Sequence, residues 1–141
     1  MKWLQRFLFR WDIFMFAKNI WRFRKELWRF RAYDYDYNLS LFVRSLEITR
    51  DFLESDKAMA ACSREHADQI SDFIDSIDQF KNSIERAEKE MGYEFIPLSD
   101  DYSKEQNQRD KELIQKVDEI ENKGWNDAMD NLKKNMRSWW D

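Results

Sequence analysis

Apolar residues recur along this chain at helical spacing, in four stretches. In the first, about 3–32, Phe16, Ile20, Phe23, Leu27 and Phe30 follow a 4-3-4-3 spacing, one stripe of a helix. Lys18, Arg22, Lys25 and Arg29 run along the opposite side. Before residue 16 the apolar set is Leu4, Phe7, Leu8, Trp11, Phe14 and Met15, on the side that later becomes basic. This register predicts either a break near 16–19 or one continuous helix with different neighbours at its two ends. A second helix is predicted over about 36–54, with Tyr35, Leu39, Phe42, Leu46 and Leu53 in register and Asp34, Asp36 and Asn38 as candidate N-caps.

The third helix, about 57–91, has the cleanest pattern. Positions 66, 70, 73, 77, 80, 84, 87 and 91 read His, Ile, Phe, Ile, Phe, Ile, Ala and Met, alternating steps of four and three. Such a run predicts one long helix packed along a seam, stopped by Gly92. A loop around Pro97 follows. Ser103 and Gln106 then match a capping box at the start of a fourth helix, about 104–138. Its stripe is Leu113, Val117, Ile120 and Gly124. The stripe then shifts by one position to Trp125, Met129, Leu132, Met136 and Trp139, which predicts local unwinding or a close crossing near Gly124. The fold class is therefore all-α. The chain reads as an elongated, coiled-coil-like bundle of about four helices forming one domain over 1–141 and assembling into a homo-oligomer.

Composition narrows this further. Two Gly and one Pro in 141 residues leave too little turn chemistry for a hairpin-rich β fold. Seven Trp in a chain with 37% charged residues need a subunit contact or a ligand to cover them. No apolar run approaches the ~18 residues of a transmembrane helix. Arg6, Arg10 and Asp12 interrupt any signal-peptide core. The single Cys62 excludes an internal disulfide and fits a reducing, cytoplasmic setting. The net charge of −4 hides an asymmetry: residues 1–31 hold nine basic and two acidic side chains, so the remainder is −11. That segregation predicts an anionic partner for the N-terminal part, or pairing of the two halves within an assembly.

The segment "WRFRKELWRFRAYDYDYNLSLF", residues 21–42, holds the most distinctive chemistry. Trp21, Arg24, Trp28 and Arg31 stand at i, i+3, i+7 and i+10, a ladder of indole and guanidinium beside a stripe expected to be buried. Arg offers planar bidentate donors to phosphate, and indoles stack on bases. In this reading Arg22, Arg24, Arg29 and Arg31 hold phosphates while Trp21, Trp28, Tyr33 or Tyr35 stack on a flat ring. Packing of the rings on a neighbouring helix, with the arginines paired to acids, is the commoner fate of such a pattern.

Other constellations are weaker. Cys62 and His66, four apart, supply two metal ligands and no third Cys or His, so no metal site is assigned. Asp68, Asp72, Asp75 and Asp78 line one helix. Asp75 with Asp78, and Glu85 with Glu88, imitate the carboxylate pairs of magnesium-dependent all-α nucleotide pyrophosphohydrolases, although a solvated acidic face is the ordinary meaning of such spacing. One His and one Cys on one helix give no nucleophilic triad. No catalytic residue and no cofactor is assigned.

The segment "FRKELWRFRAYDYDYNLSLFVRSLE" with "SREHADQI" resembles a loose group of small tailed-phage accessory proteins over residues 20–80. "KGWNDAMDNL", residues 123–132, is similar to a tail found in assorted proteins of that kind. The resemblance implies a setting in the infected bacterial cytoplasm and a role in binding rather than catalysis. The sequence reading is therefore a non-catalytic accessory protein, an oligomeric sponge for an anionic aromatic ligand such as a nucleotide or cyclic nucleotide immune signal. The alternative is an inhibitor or adaptor that occludes a host protein, and the third is the magnesium-dependent pyrophosphohydrolase. A membrane surface or single-stranded nucleic acid ranks below these as a partner.

Overall fold

A computed structural model describes residues 2–31, 34–55, 58, 62–94 and 103–140. All regular structure among them is helical: α1 (Lys2–Arg22), α2 (Arg24–Arg29), α3 (Tyr35–Leu53), α4 (Ser63–Lys81), α5 (Ser83–Met91) and α6 (Lys104–Asn135), followed by a 3₁₀ turn (Met136–Trp140). The chain divides into two compact units, Met1–Ile48 and Thr49–Asp141, with the boundary inside α3.

The second unit holds most of the core. Its long helix α6 packs along both α4 and α5. Ala67, Ile70, Phe73 and Ile77 of α4 are buried, as are Ala87 of α5 and Leu113, Ile120 and Ala128 of α6. The start of α6 is fixed by the expected capping box. The Gln106 amide donates to the Ser103 hydroxyl at 3.1 Å, and the Ser103 amide donates to the Gln106 side chain at 3.3 Å. At the other end Trp139 is buried with its ring edge-on to Phe73, 6.1 Å between centroids. Its indole nitrogen donates to Gln69 Oε1 at 3.2 Å, and Asn131 Nδ2 donates to the Gln69 carbonyl at 3.0 Å.

Two details of the expected seam are corrected. The unbroken helix through residues 66–91 is interrupted at Asn82, whose backbone (φ −104°, ψ 26°) leaves the ideal α conformation. Asp78 staples the joint: Oδ1 accepts from Asn82 Nδ2 at 2.7 Å and Oδ2 from Arg86 at 2.8 Å. Past this joint Ser83 and Ala87 face inward, and Ile84, expected on the seam, is 59% exposed. On α6 the predicted shift of the stripe to Trp125 does not carry the burial. Gly124 and Ala128 continue the buried line, while Trp125 remains partly exposed with its ring 5.2 Å from Phe80.

Gly124 explains why. A Cβ built on it would stand 2.8 Å from both the Phe80 amide nitrogen and the Ser76 carbonyl oxygen. The two helix backbones therefore touch at this level, and a stripe of large residues cannot pass through it. Gly92 serves a different purpose. Its φ of +61° closes α5 in the left-handed conformation, with no atom near a would-be Cβ.

The two glycines should respond differently to alanine. Gly124→Ala gains about 1 kcal/mol of helix propensity but forces two backbones apart, an overpacking cost of about 1–3 kcal/mol or more, so net destabilisation is expected. Gly92→Ala should cost about 1 kcal/mol from backbone strain alone. Urea unfolding followed by circular dichroism checks both. A Gly124→Ala protein as stable as the parent would contradict the close crossing.

Candidate functional site

In the first unit the balance between buried and exposed apolar residues is reversed. Leu46 is the one buried hydrophobic among its described side chains, against nine such residues in the second unit. Among the described residues, nine of the fifteen exposed large hydrophobics lie here: Ile13, Phe14, Phe16, Ile20, Trp21, Leu27, Trp28, Phe30 and Tyr35. The stripe expected to be buried is therefore open. Phe16, Ile20, Leu27 and Phe30 are exposed, and only Phe23 is half-buried.

Helix α1 runs unbroken through residues 16–19, and the interruption falls at Phe23 (φ −100°, ψ 10°). It is shallow. The Phe23 amide bonds the Asn19 carbonyl at 3.0 Å and the Leu27 amide bonds the Phe23 carbonyl at 2.8 Å, so i→i−4 bonding continues on both sides. An extended Phe30 (ψ 128°) then ends α2. The turn into α3 is held by Asp34, whose Oδ1 accepts from the Asp36 amide at 3.0 Å. Arg44 of α3 donates from Nε to the Arg22 carbonyl at 3.4 Å.

The eight candidate ligand residues fall into separate groups. Trp21, Arg24 and Trp28 form a line along α1–α2. The Arg24 guanidinium lies over the Trp21 ring, 4.2 Å from its centroid, and Nη1 donates to the Trp21 carbonyl at 2.8 Å. Trp21 is 68% and Trp28 91% exposed. Arg22 and Arg29 each follow one of these indoles by a single residue, which turns them about 100° around the axis onto another face. Arg31 lies beyond the end of α2, so the ladder has three rungs on the helix rather than four. Tyr35 opens α3 and is exposed. Tyr33 lies outside the described residues. The arrangement is a convex surface carrying two accessible indoles and a guanidinium held flat by a ring and a carbonyl.

The remaining candidates are placed as follows. Cys62 is exposed and precedes α4, and His66 is partly buried one turn on, its amide bonded to the Cys62 carbonyl. No group of three or more His, Cys, Asp or Glu residues able to hold a metal ion occurs among the described residues. Asp75 is exposed, and both oxygens of Asp78 are occupied at the Asn82 joint. Glu85 and Glu88 line a shallow acidic groove with Lys89, Gly92, Tyr93 and Glu94.

Beside this groove is a pair that sequence reasoning missed. Asp110 of α6 is 4% exposed, and its Oδ1 accepts from the Tyr93 hydroxyl at 2.7 Å while Oδ2 is buried without a partner. The signal was present, since Asp110 stands three residues before Leu113, on the buried line of α6. The Tyr93 phenol is pushed above its ordinary value of 10.0, first by the hydrogen bond to Asp110, then by burial and the charge of Asp110, with Arg109 acting in the opposite sense.

No family model, curated protein or solved structure matches this chain. No described helix is long and apolar enough to cross a membrane.

The Tyr93 shift carries a pH prediction. The fold favours the neutral phenol, so its contribution is complete below pH 10.0 and is lost as the pH rises through the higher folded value. Tyr93→Phe should lower stability at neutral pH and flatten the decline above pH 10.0. Lys116 is also raised, first by its hydrogen bond and then by its charge interaction with Glu90, so a Lys116→Met control separates the second alkaline group. Urea midpoints from roughly pH 7 to 11.5 check this. Identical curves for parent and Tyr93→Phe would refute it.

Proposed function

We propose that this chain is a non-catalytic binding protein that acts by covering another protein, with the Trp21–Arg24–Trp28 face of α1–α2 as its contact surface. The observation that carries the reading is the 91% exposure of Trp28 beside the Arg24–Trp21 stack. Trp and Arg are the residues from which interface hot spots are most often built, and a guanidinium already ordered on a ring loses less freedom on docking. A convex helix face suits a macromolecular partner better than a small ligand, which needs a concave site to bury most of its surface. This favours the occluding inhibitor or adaptor over the enclosed nucleotide pocket. The setting we assign is that of the small phage accessory proteins the sequence resembles, in the bacterial cytoplasm.

A second reading keeps the nucleotide. Arg24 and the two indoles offer the right chemistry for an anionic, flat-ringed ligand, and another copy of the chain would close the site into a sponge. The pyrophosphohydrolase reading has the least support, because Asp78 is fully engaged in holding α4 to α5.

One experiment addresses the first reading. A photo-reactive phenylalanine analogue at position 28 should cross-link a specific protein in the native host, and the same analogue at exposed Glu112 should not. Adding Trp21→Ala should reduce capture at position 28 strongly, since truncating a hot-spot tryptophan costs about 2 kcal/mol or more. Equal capture from both positions, or none lost with Trp21→Ala, would refute the contact surface. Calorimetry with nucleoside triphosphates and cyclic dinucleotides tests the second reading. Heat that disappears in Arg24→Glu would support it, and no heat from the parent would end it.

A further inference from the structure

The two units carry opposite charge. Residues 1–48 hold ten basic and five acidic side chains and residues 49–141 hold fourteen and 23, giving +5 and −9. On each unit the excess is gathered into a stripe along one helix line. Lys18, Arg22, Lys25 and Arg29 follow one another at steps of four, three and four along α1–α2. Glu65, Asp68, Asp72 and Asp75 follow at steps of three, four and three along α4. At 1.5 Å rise per residue the stripes are about 17 Å and about 15 Å long. All eight side chains are exposed except the half-buried Arg22, and no ion pair of any of them is formed among the described residues. The chain thus presents two rods of matched length and spacing and opposite sign, neither neutralised by its own neighbours.

We infer that the basic stripe of α1–α2 docks on the acidic stripe of α4 in a second copy of the chain, so that the protein assembles head to tail. The occupant is another copy because the complementary surface, with matching periodicity, is encoded in the same polypeptide. Pairing two α1 helices with each other would place like-charged stripes together. A flat anionic membrane is a poorer fit, since its charge has neither the length nor the spacing of the acidic stripe on α4. The contact is heterologous, joining different patches on the two copies, so it closes into a ring or extends as a filament according to the rotation between copies. It uses the face about 100° away from Trp21 and Trp28, so it leaves the proposed partner surface open and does not rest on that proposal.

Charge reversal on each stripe supplies the test. The full chain should self-associate by sedimentation velocity at low salt. Raising ionic strength from ~0.05 to ~0.5 M should weaken association tenfold or more, because exposed charges are screened over a few ångströms at the higher value. Lys25→Glu with Arg29→Glu should abolish association, as should Asp68→Lys with Asp72→Lys. All these residues are at the surface, and circular dichroism confirms that each variant is folded. An equimolar mixture of the two variants should associate again, because each retains one native stripe and the reversed stripes complement one another. A parent chain that stays monomeric at low salt overturns the inference, whether or not it sediments with phosphatidylserine vesicles. Either variant associating undiminished overturns it, as does a mixture that fails to recover. Full association of the α4 variant alone would point instead to α1 pairing with itself.

Discussion

The second unit depends on one contact, where the backbone of α6 at Gly124 meets the backbone of α4 between Ser76 and Phe80. With no side chain between them, the two helices approach closely enough for Ala128 to be buried beside the same line, and for Phe73 and Trp139 to meet beyond it. Close approach sets which residues are large and which are small along the whole seam. Leu113 and Ile120 fill the wider space toward α5, and Gly124 and Ala128 fit the narrow part. Packing density forbids both a void and a clash, so the choice at one position constrains its neighbours.

The first unit follows the opposite rule. Its apolar side chains remain largely uncovered, and its charge is of the other sign. Exposed aromatic surface on this scale costs solubility unless a partner covers it. Among the described residues, the first unit thus leaves its indole face open and its basic stripe without ion pairs, while the second unit holds most of the buried core. The two faces lie on the same helices, about a quarter-turn apart, so the proposed partner contact and the proposed self-association would use different sides of one helix.

Much of the local structure was legible in the sequence, and the misses have physical causes. All-α character, the Ser103 cap, the Gly92 stop and the Asp34 cap follow from rules acting within a few residues. The break at Asn82 was missed because the apolar rhythm runs on past it in sequence. Its local signal was only Asn-Ser, a pair of indifferent helix formers. Gly124 was placed on the stripe and a close crossing was one of the two outcomes expected there, but the continuation of the buried line to Ala128 was missed because a hydrophobic pattern weights large residues, while a close crossing selects small ones. The ladder was read as Trp21, Arg24, Trp28 and Arg31, and Arg31 fell outside it because α2 ends at Arg29. Arg22 and Arg29 were counted with it as phosphate holders, yet each follows an indole by one residue and so stands on another face. Exposure of the Phe16–Phe30 stripe was not legible at all, since periodicity reports that a face is apolar and does not report what covers it.

The joint at Asn82 has a further consequence. Helices α4 and α5 are successive segments resting on one continuous support, α6, and the link between them is an exposed residue fastened by the side chain of Asp78. Across it the backbone also bonds from the Asn82 amide to the Asp78 carbonyl at 2.9 Å and from the Arg86 amide to the Asn82 carbonyl at 3.0 Å. The chain is thus divisible at residue 82 into two pieces whose surfaces already fit. Expressed separately, they would find each other as halves of a reconstituted protein, with α6 acting as the splint across the cut.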